Sequence, residues 1–167
     1  LQVCADEAAL GHRANWILTC SHEDLQRFFR VYGFAPAKMR VVPNGVMAYT
    51  PSRQLEKAAC RQTLHIDQDA LVAIFVGSQY GPNLEAGFFI LDELAPTMPH
   101  VHFVIAGGVS TALTSTLPNV TLTGALSEEQ KDCWLGAADF ALNPMFSGSG
   151  TNIKMFDFMA SHLPVIT

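Results

Sequence analysis

From residue 71 onward, short continuous apolar runs alternate with longer amphipathic stretches. Leu71-Val-Ala-Ile-Phe-Val76 and Val101-His-Phe-Val-Ile-Ala106 are two such runs, closed by Gly77 and by Gly107-Gly108. A strand buried on both faces reads this way, because every side chain then meets apolar cover. Val120-Thr-Leu-Thr123 ending at Gly124, Asp139 to Leu142, and Leu163-Pro-Val-Ile166 predict three more strands. The intervening stretches predict helices. Asn83 can cap one in which Leu84, Phe88, Leu91 and Ala95 recur at helical spacing, closed by Pro96 and Pro99. A weaker helix is expected around 110–116. Ser127-Glu-Glu-Gln130 reads as a capping box for a helix through Ala138, with Trp134 and Leu135 available to the core. A last helix follows residue 152, in which Met155, Phe156 and Met159 can face inward. Strands alternating with helices predict an α/β fold with an open, doubly wound, Rossmann-like parallel sheet.

The first third of the chain follows the same reading. Residues 3–13 predict a helix, Trp16 to Cys20 a strand, and Ser21-His-Glu-Asp24 the start of a helix ending at Gly33. Met39 to Val42 predicts a second strand, Pro43-Asn-Gly45 a turn, and Arg53 to about Leu64 a surface helix. Charge changes across this turn. Residues 1–61 carry eight Lys/Arg against five Asp/Glu, a net +3, whereas residues 62–167 carry two against ten, a net −8. The charge shift, the turn and the Tyr49-Thr-Pro-Ser52 connector support a domain boundary near 43–52. One continuous domain with two extra edge strands is the alternative.

Composition narrows the function. A chain of 167 residues with 49% hydrophobic and 15% charged residues can bury a real core. No apolar run approaches the ~18–20 residues of a membrane span, and the N-terminus has no basic-then-apolar signal pattern. A net −8 segment is a poor partner for nucleic acid. Cys4, Cys20, Cys60 and Cys133 are scattered without C-x-x-C spacing, which favours free cytosolic thiols over a zinc site. The six histidines show no metal-ligating spacing, and His100 and His102 at a strand start read as surface residues.

The stretch with most chemistry runs from Phe140 to Ser161. An apolar run leads into Ser147-Gly-Ser-Gly-Thr-Asn152, and this loop opens the last helix. Gly148 and Gly150 remove Cβ atoms that would stop backbone amides from converging on an anion. Ser147, Ser149, Thr151 and Asn152 add short hydrogen-bonding side chains. The loop is neither a Walker A sequence nor G-x-G-x-x-G, and a plain turn is the bland reading. Lys154 and Asp157, three apart on a helix, share a face and set a cation and a carboxylate beside the loop. The alternative for them is a solvated ion pair.

Gly148-Ser-Gly-Thr-x-x-Lys154-x-x-Asp157-x-Met159-Ala160-x-x-x-Pro164-Val165 resembles the donor-site signature of family-4 (group 1) glycosyltransferases of the GT-B fold. Val42-Pro-Asn-Gly-Val46 is similar to that family's hinge phrase. Phe75-Val-Gly-Ser78 with Pro82-Asn83, and Val120 to Gly124, match further segments in the same order. The resemblance implies that residues 1–44 are the tail of the N-terminal, acceptor-binding domain, and residues 45–167 a nucleotide-sugar donor domain. It also implies that the chain is truncated at both ends. Lys154 would be the catalytic cation on the diphosphate, with the 147–152 loop as its cradle. Gly77, Ser78 and Gly124 would line the nucleotide site, and Asp157 would accept hydrogen bonds from ribose. The donor would be a UDP- or GDP-sugar, the acceptor a saccharide or lipid-linked saccharide, and transfer would retain configuration. No cofactor and no metal is implied. The resemblance places the protein in the cytoplasm or at the cytosolic face of a membrane, and an exposed sheet edge suggests self-association of the fragment.

Two departures stand out. Ser149 occupies the position of a family glutamate that contacts the donor sugar, which leaves sugar identity unreadable. Members also place Arg and Lys shortly after the first donor-domain strand, yet residues 62–130 contain neither; Gln79, Tyr80 and Asn83 stand there instead. Turnover normally uses cations or metal on a leaving diphosphate. A non-catalytic nucleotide-sugar-binding module is therefore the second reading. A dinucleotide-binding oxidoreductase is the third, disfavoured because no G-x-G-x-x-G follows Val76.

Overall fold

The computed structural model of the chain describes residues 2–45, 56–147 and 152–167. These fall into two compact units, one of residues 2–45 with 152–153, the other of residues 56–147 with 154–167. The Tyr49–Ser52 connector and the expected helix start at Arg53 lie outside the described residues.

In the first unit, helix α1 (Gln2–Arg13) precedes strand β1 (Ile17–Thr19), helix α2 (His22–Tyr32) and strand β2 (Met39–Val41). β1 and β2 pair in parallel, Ile17 opposite Met39. Ser21 caps α2 by accepting the Asp24 amide at 3.0 Å, and Gly33 ends it at φ +66°. Ile17, Phe34 and Met39 form a small core covered by Leu25, Phe28 and Tyr32. Phe29 of α2 is 48% exposed.

The second unit holds helix α3 (Lys57–Thr63) and a five-stranded sheet. Its strands are β3 (Leu71–Val76), β4 (Val101–Ala106), β5 (Val120–Leu122), β6 (Phe140–Leu142) and β7 (Val165–Ile166). All neighbours are parallel and the order is β5-β4-β3-β6-β7. Helices α4 (Gly81–Phe89), α5 (Ala95–Thr97), α6 (Glu128–Ala137) and α7 (Lys154–Ala160) connect them. The two faces of β3 explain its unbroken apolar sequence. Ala73 and Phe75 pack with Ala86 and Ile90 of the α4 side, while Val72 and Ile74 pack with Leu135 of α6 and Phe158 of α7. The expected doubly wound parallel sheet is the fold observed.

Several local expectations need correction. Asn83 is not a cap; Tyr80 holds that position, and Asn83 lies in the first turn of α4, buried. The buried stripe on this helix runs through Asn83, Ala86, Gly87, Ile90 and Leu91, which leaves Phe88 half-exposed. Pro96 sits inside the final turn. Its missing N–H and bulky ring cannot follow an α-turn, and a π turn over Ile90–Leu94, closed by the Ala95 amide on Ile90 O, absorbs the misfit. A 3₁₀ turn over Gly108–Ala112 replaces the helix expected at 110–116. In α7 the fully buried residue is Phe158, whereas Met159 is exposed. His102 lies within β4, half-buried with Nε2 2.9 Å from Thr121 Oγ1. Ser127 and Gln130 do form the capping box of α6.

Candidate functional site

In the strand order β5-β4-β3-β6-β7, connections leave β3 toward β4 but leave β6 toward β7. The topology reverses between β3 and β6, and in open α/β sheets such a reversal is where a crevice forms beyond the carboxyl ends of the strands. Among the described residues, 77–83 after β3 and 143–147 after β6 flank it.

Gly77 and Gly107 bring two strand ends into close approach. Gly77 N–H donates to Ala106 O at 3.0 Å, and Val109 N–H donates to Gly77 O at 3.0 Å. Gly107 has φ +88°, and a Cβ there would lie 2.7 Å from Gly77 O. A plain turn would not demand glycine so strictly; here both conformation and contact do. Gly124, at φ +74°, is tied to the same group. Its N–H donates to Ser110 Oγ at 2.8 Å, Ser110 Oγ donates to Gly107 O at 2.7 Å, and Gly107 N–H donates to Gly124 O at 3.1 Å. The amides of Gly77, Gly107 and Gly124 thus all donate within the fold, so these loops shape a wall more than they offer amides to an anion.

Lys154, the first residue of α7, enters this crevice. Its Nζ donates to Asn83 Oδ1 at 2.7 Å, lies 3.5 Å from Met145 Sδ, and stands 4.4 Å from the centroid of the Phe75 ring. Asn83 Nδ2 in turn donates to Ser78 O at 3.0 Å. The structure therefore joins Ser78 and Lys154 through a residue that sequence reasoning had read as a helix cap. A Pro-Asn pair in the first turn after a buried strand was the available signal, since a buried amide needs partners for both ends. Burial lowers the pKa of Lys154 from the usual lysine value to about 8. Its ammonium ion is still mostly charged at pH 7.

Lys154 and Asp157 do not pair with each other. Asp157 Oδ2 accepts from Lys131 Nζ of α6 at 3.4 Å, and Lys131 also meets Glu128 at 2.9 Å. Burial alone would lower the Lys131 pKa, but Glu128 and Asp157 outweigh it and the net shift is upward. The surface ion pair considered for 154 and 157 is thus replaced by two separate partnerships. At the amino end of β6, Lys57 and Arg61 both meet Asp139. Among the described residues of this unit, Lys57, Arg61 and Lys131 face carboxylates, while the groups shown around Lys154 are uncharged.

Ser147 is exposed and donates to Glu85 Oε2 of α4 at 2.5 Å. Gly148, Ser149, Gly150 and Thr151 lie outside the described residues. Asn152 is half-buried and groups with the first unit. Among the described residues, no group of three or more His, Cys, Asp or Glu could hold a metal ion. No described helix is long and apolar enough to cross a membrane.

A doubly wound parallel sheet whose order reverses between β3 and β6, with the half-buried Lys154 at that point, matches GT-B glycosyltransferase domains in fold. The chain belongs to the group 1 glycosyl transferases, whose family model matches residues 70–167, more than half of its length. Solved structures of similar fold include Anabaena Alr3699/HepE in complex with UDP and glucose, at 17% identity and TM-score 0.73 over 98% of this chain and 47% of that one. Sucrose-phosphate synthase from Thermosynechococcus elongatus aligns at 16% identity and TM-score 0.72, over 98% of this chain and 43% of that one. WaaG, a glycosyltransferase involved in lipopolysaccharide biosynthesis, aligns at 18% identity and TM-score 0.65, over 89% and 42%. The chain spans less than half the length of each of these structures. No curated protein matches it.

Proposed function

We infer that the chain is the donor-binding part of a glycosyltransferase that takes a sugar from a UDP- or GDP-sugar and passes it, with retention of configuration, to an acceptor hydroxyl. Residues 45–167 are the donor domain in this reading, and residues 1–44 the end of an acceptor-binding domain. The observation that carries it is Lys154: a cation held by Asn83 at the sheet's reversal point, with no carboxylate among the partners shown for it. Membership of the family supports the reaction class. The HepE complexes with UDP and glucose and with UDP-glucose, on a similar fold, support the donor class.

In the reaction, the bond between the anomeric carbon and the diphosphate oxygen breaks, and its electron pair leaves with the nucleoside diphosphate. Charge grows on that oxygen as the bond lengthens. A fixed cation in a poorly solvated site stabilises this change more than it stabilises the bound donor. Lys154 fills that role. The acceptor oxygen bonds to the anomeric carbon, and its proton passes to the departing diphosphate. Ser147 to Asn152 cradle the phosphates, Gly77, Ser78 and Gly124 line the nucleotide, and Asp157 takes the ribose hydroxyls. The acceptor is a saccharide or lipid-linked saccharide, and the protein works in the cytosol or at the cytosolic membrane face.

Residues 62–130 contain no Lys or Arg, and this favours a second reading, a module that binds the nucleotide sugar without turnover. A thermal-shift panel of UDP, GDP, ADP and NAD against the chain tests binding first. UDP or GDP at about 100 times its Kd should add about 2.7 kcal/mol of stability. A response to NAD alone, or to none at millimolar concentration, would reject the donor site. Turnover of the donor, followed by release of nucleoside diphosphate from the intact protein, then separates the two readings.

A further inference from the structure

Asn83 is only 7% exposed, so both ends of its amide need partners inside the protein. Nδ2 donates to Ser78 O at 3.0 Å and reaches Ser78 Oγ at 3.4 Å, while Oδ1 accepts from Lys154 Nζ at 2.7 Å. A backbone carbonyl can only accept and an ammonium can only donate, so the amide's orientation is dictated from both sides. No side chain of the same shape does this. Aspartate would set a carboxylate oxygen against the Ser78 carbonyl and cancel the charge of Lys154. Leucine would leave the Ser78 oxygen and the ammonium without it. Gly77 belongs to the same arrangement, because a Cβ there would lie 3.0 Å from Asn83 Cγ and crowd the amide.

The charged groups on the packed elements are engaged elsewhere. On α7, Asp157 meets Lys131, which α6 also pairs with Glu128. On α4, Glu85 accepts from Ser147. Burial is the cause that lowers the proton affinity of Lys154, and no carboxylate opposes it.

We propose that Asn83 is a positioning residue that sets the charge of the site: a neutral acceptor that fixes Lys154 at the β3–β6 crevice and leaves its positive charge uncancelled for an anionic ligand. This rests on reading Lys154 as the cation for a diphosphate. A carboxylate at 83 would hold the ammonium as firmly and consume its charge. The amide gives orientation and keeps the site cationic.

Titration of the Lys154 side chain by NMR, with lysines labelled at Cε and no nucleotide present, tests this apart from any binding. Asn83→Asp should move the Lys154 midpoint from about 8 up toward the ordinary lysine value near 10.4, and Asn83→Leu should move it below 8. In the unaltered protein, the side-chain amide signal of Asn83 should titrate with the same midpoint as Lys154. Diphosphate affinity should fall at least about tenfold in Asn83→Asp at pH 7, with nucleoside affinity unchanged. A packing role alone would leave the midpoint unmoved in both variants and the amide signal flat from pH 7 to 9, and that result overturns the proposal. Opposite shifts of the midpoint with no nucleotide binding at all would sustain the Asn83–Lys154 coupling and reject the diphosphate reading instead.

Discussion

Burial of Lys154 makes nucleotide binding depend on pH in a range where an ordinary lysine would not. With a midpoint at about 8, the side chain is about nine-tenths protonated at pH 7 and about one-tenth at pH 9. If the diphosphate binds only the charged form, the apparent Kd rises roughly tenfold between these values. A lysine titrating near 10.4 would change it by only about 5%. The ligand blurs this little, since a terminal phosphate with a second pKa of about 6 is already about nine-tenths ionised at pH 7, and its remaining ionisation would raise affinity, against the expected decline. Stability does not blur it either. The folded-state pKa lies below the unfolded one, so between about 8 and 10.5 the unfolded chain binds more protons. The contribution of Lys154 to stability therefore increases as pH rises through that window. Calorimetric titration of UDP and GDP at pH 7, 8 and 9 should show the decline, and Lys154→Ala should abolish it. Affinity that is constant from pH 7 to 9 in the unaltered protein would refute the placement of Lys154 on the diphosphate.

Lys154→Ala should weaken diphosphate binding about 10- to 150-fold, from a charge-assisted contact of roughly 1.5–3 kcal/mol, and leave nucleoside binding almost unchanged. Asp157→Asn should weaken nucleoside and diphosphate alike, so titrating both variants with both ligands checks the two roles together. Asp139 accepts from Lys57, from Arg61 at 2.8 Å and from the Val72 amide at 2.6 Å. Burial raises its pKa, but these donors outweigh burial and the net shift is downward. Asp139→Ala strands the buried Arg61 and should cost about 3–5 kcal/mol in urea unfolding. A cost under about 1 kcal/mol would show that Arg61 is satisfied by its carbonyl partners alone. Gly107→Ala should cost at least about 2 kcal/mol, because φ +88° and a 2.7 Å approach to Gly77 O both oppose a Cβ. Thermal unfolding measures it, and a neutral result would mean that the two strand ends separate freely.

The sheet was legible in the sequence because its causes are local and repetitive. Leu71–Val76 and Val101–Ala106 are apolar at every position on both faces but for His102, and glycine follows each run, so burial in a parallel sheet was readable, whereas the register that sets Leu71 opposite Val101 was not. The caps at Ser21 and Ser127 were equally readable, since a hydroxyl three residues from its amide partner needs no tertiary help. The sequence offered glycine, serine and lysine at a recognisable spacing, but residues 148–151 of that stretch lie outside the described ones. What only tertiary structure decided was the pairing of side chains far apart in sequence. Asn83 and Lys154, 71 residues apart, meet because β3 and β6 are neighbours where the topology reverses. Helical spacing alone suggested Lys154 with Asp157; the packing of α6 beside α7 gave Asp157 to Lys131 instead. Phe88 and Met159 had the right period for the core and still face outward. Periodicity fixes which residues share a helix face, but the neighbour against which the helix lies fixes which face is buried. The charge state of Lys154 was likewise invisible in the sequence, because desolvation depends on what surrounds an ammonium, and Phe75, Asn83 and Met145 come from three separate segments.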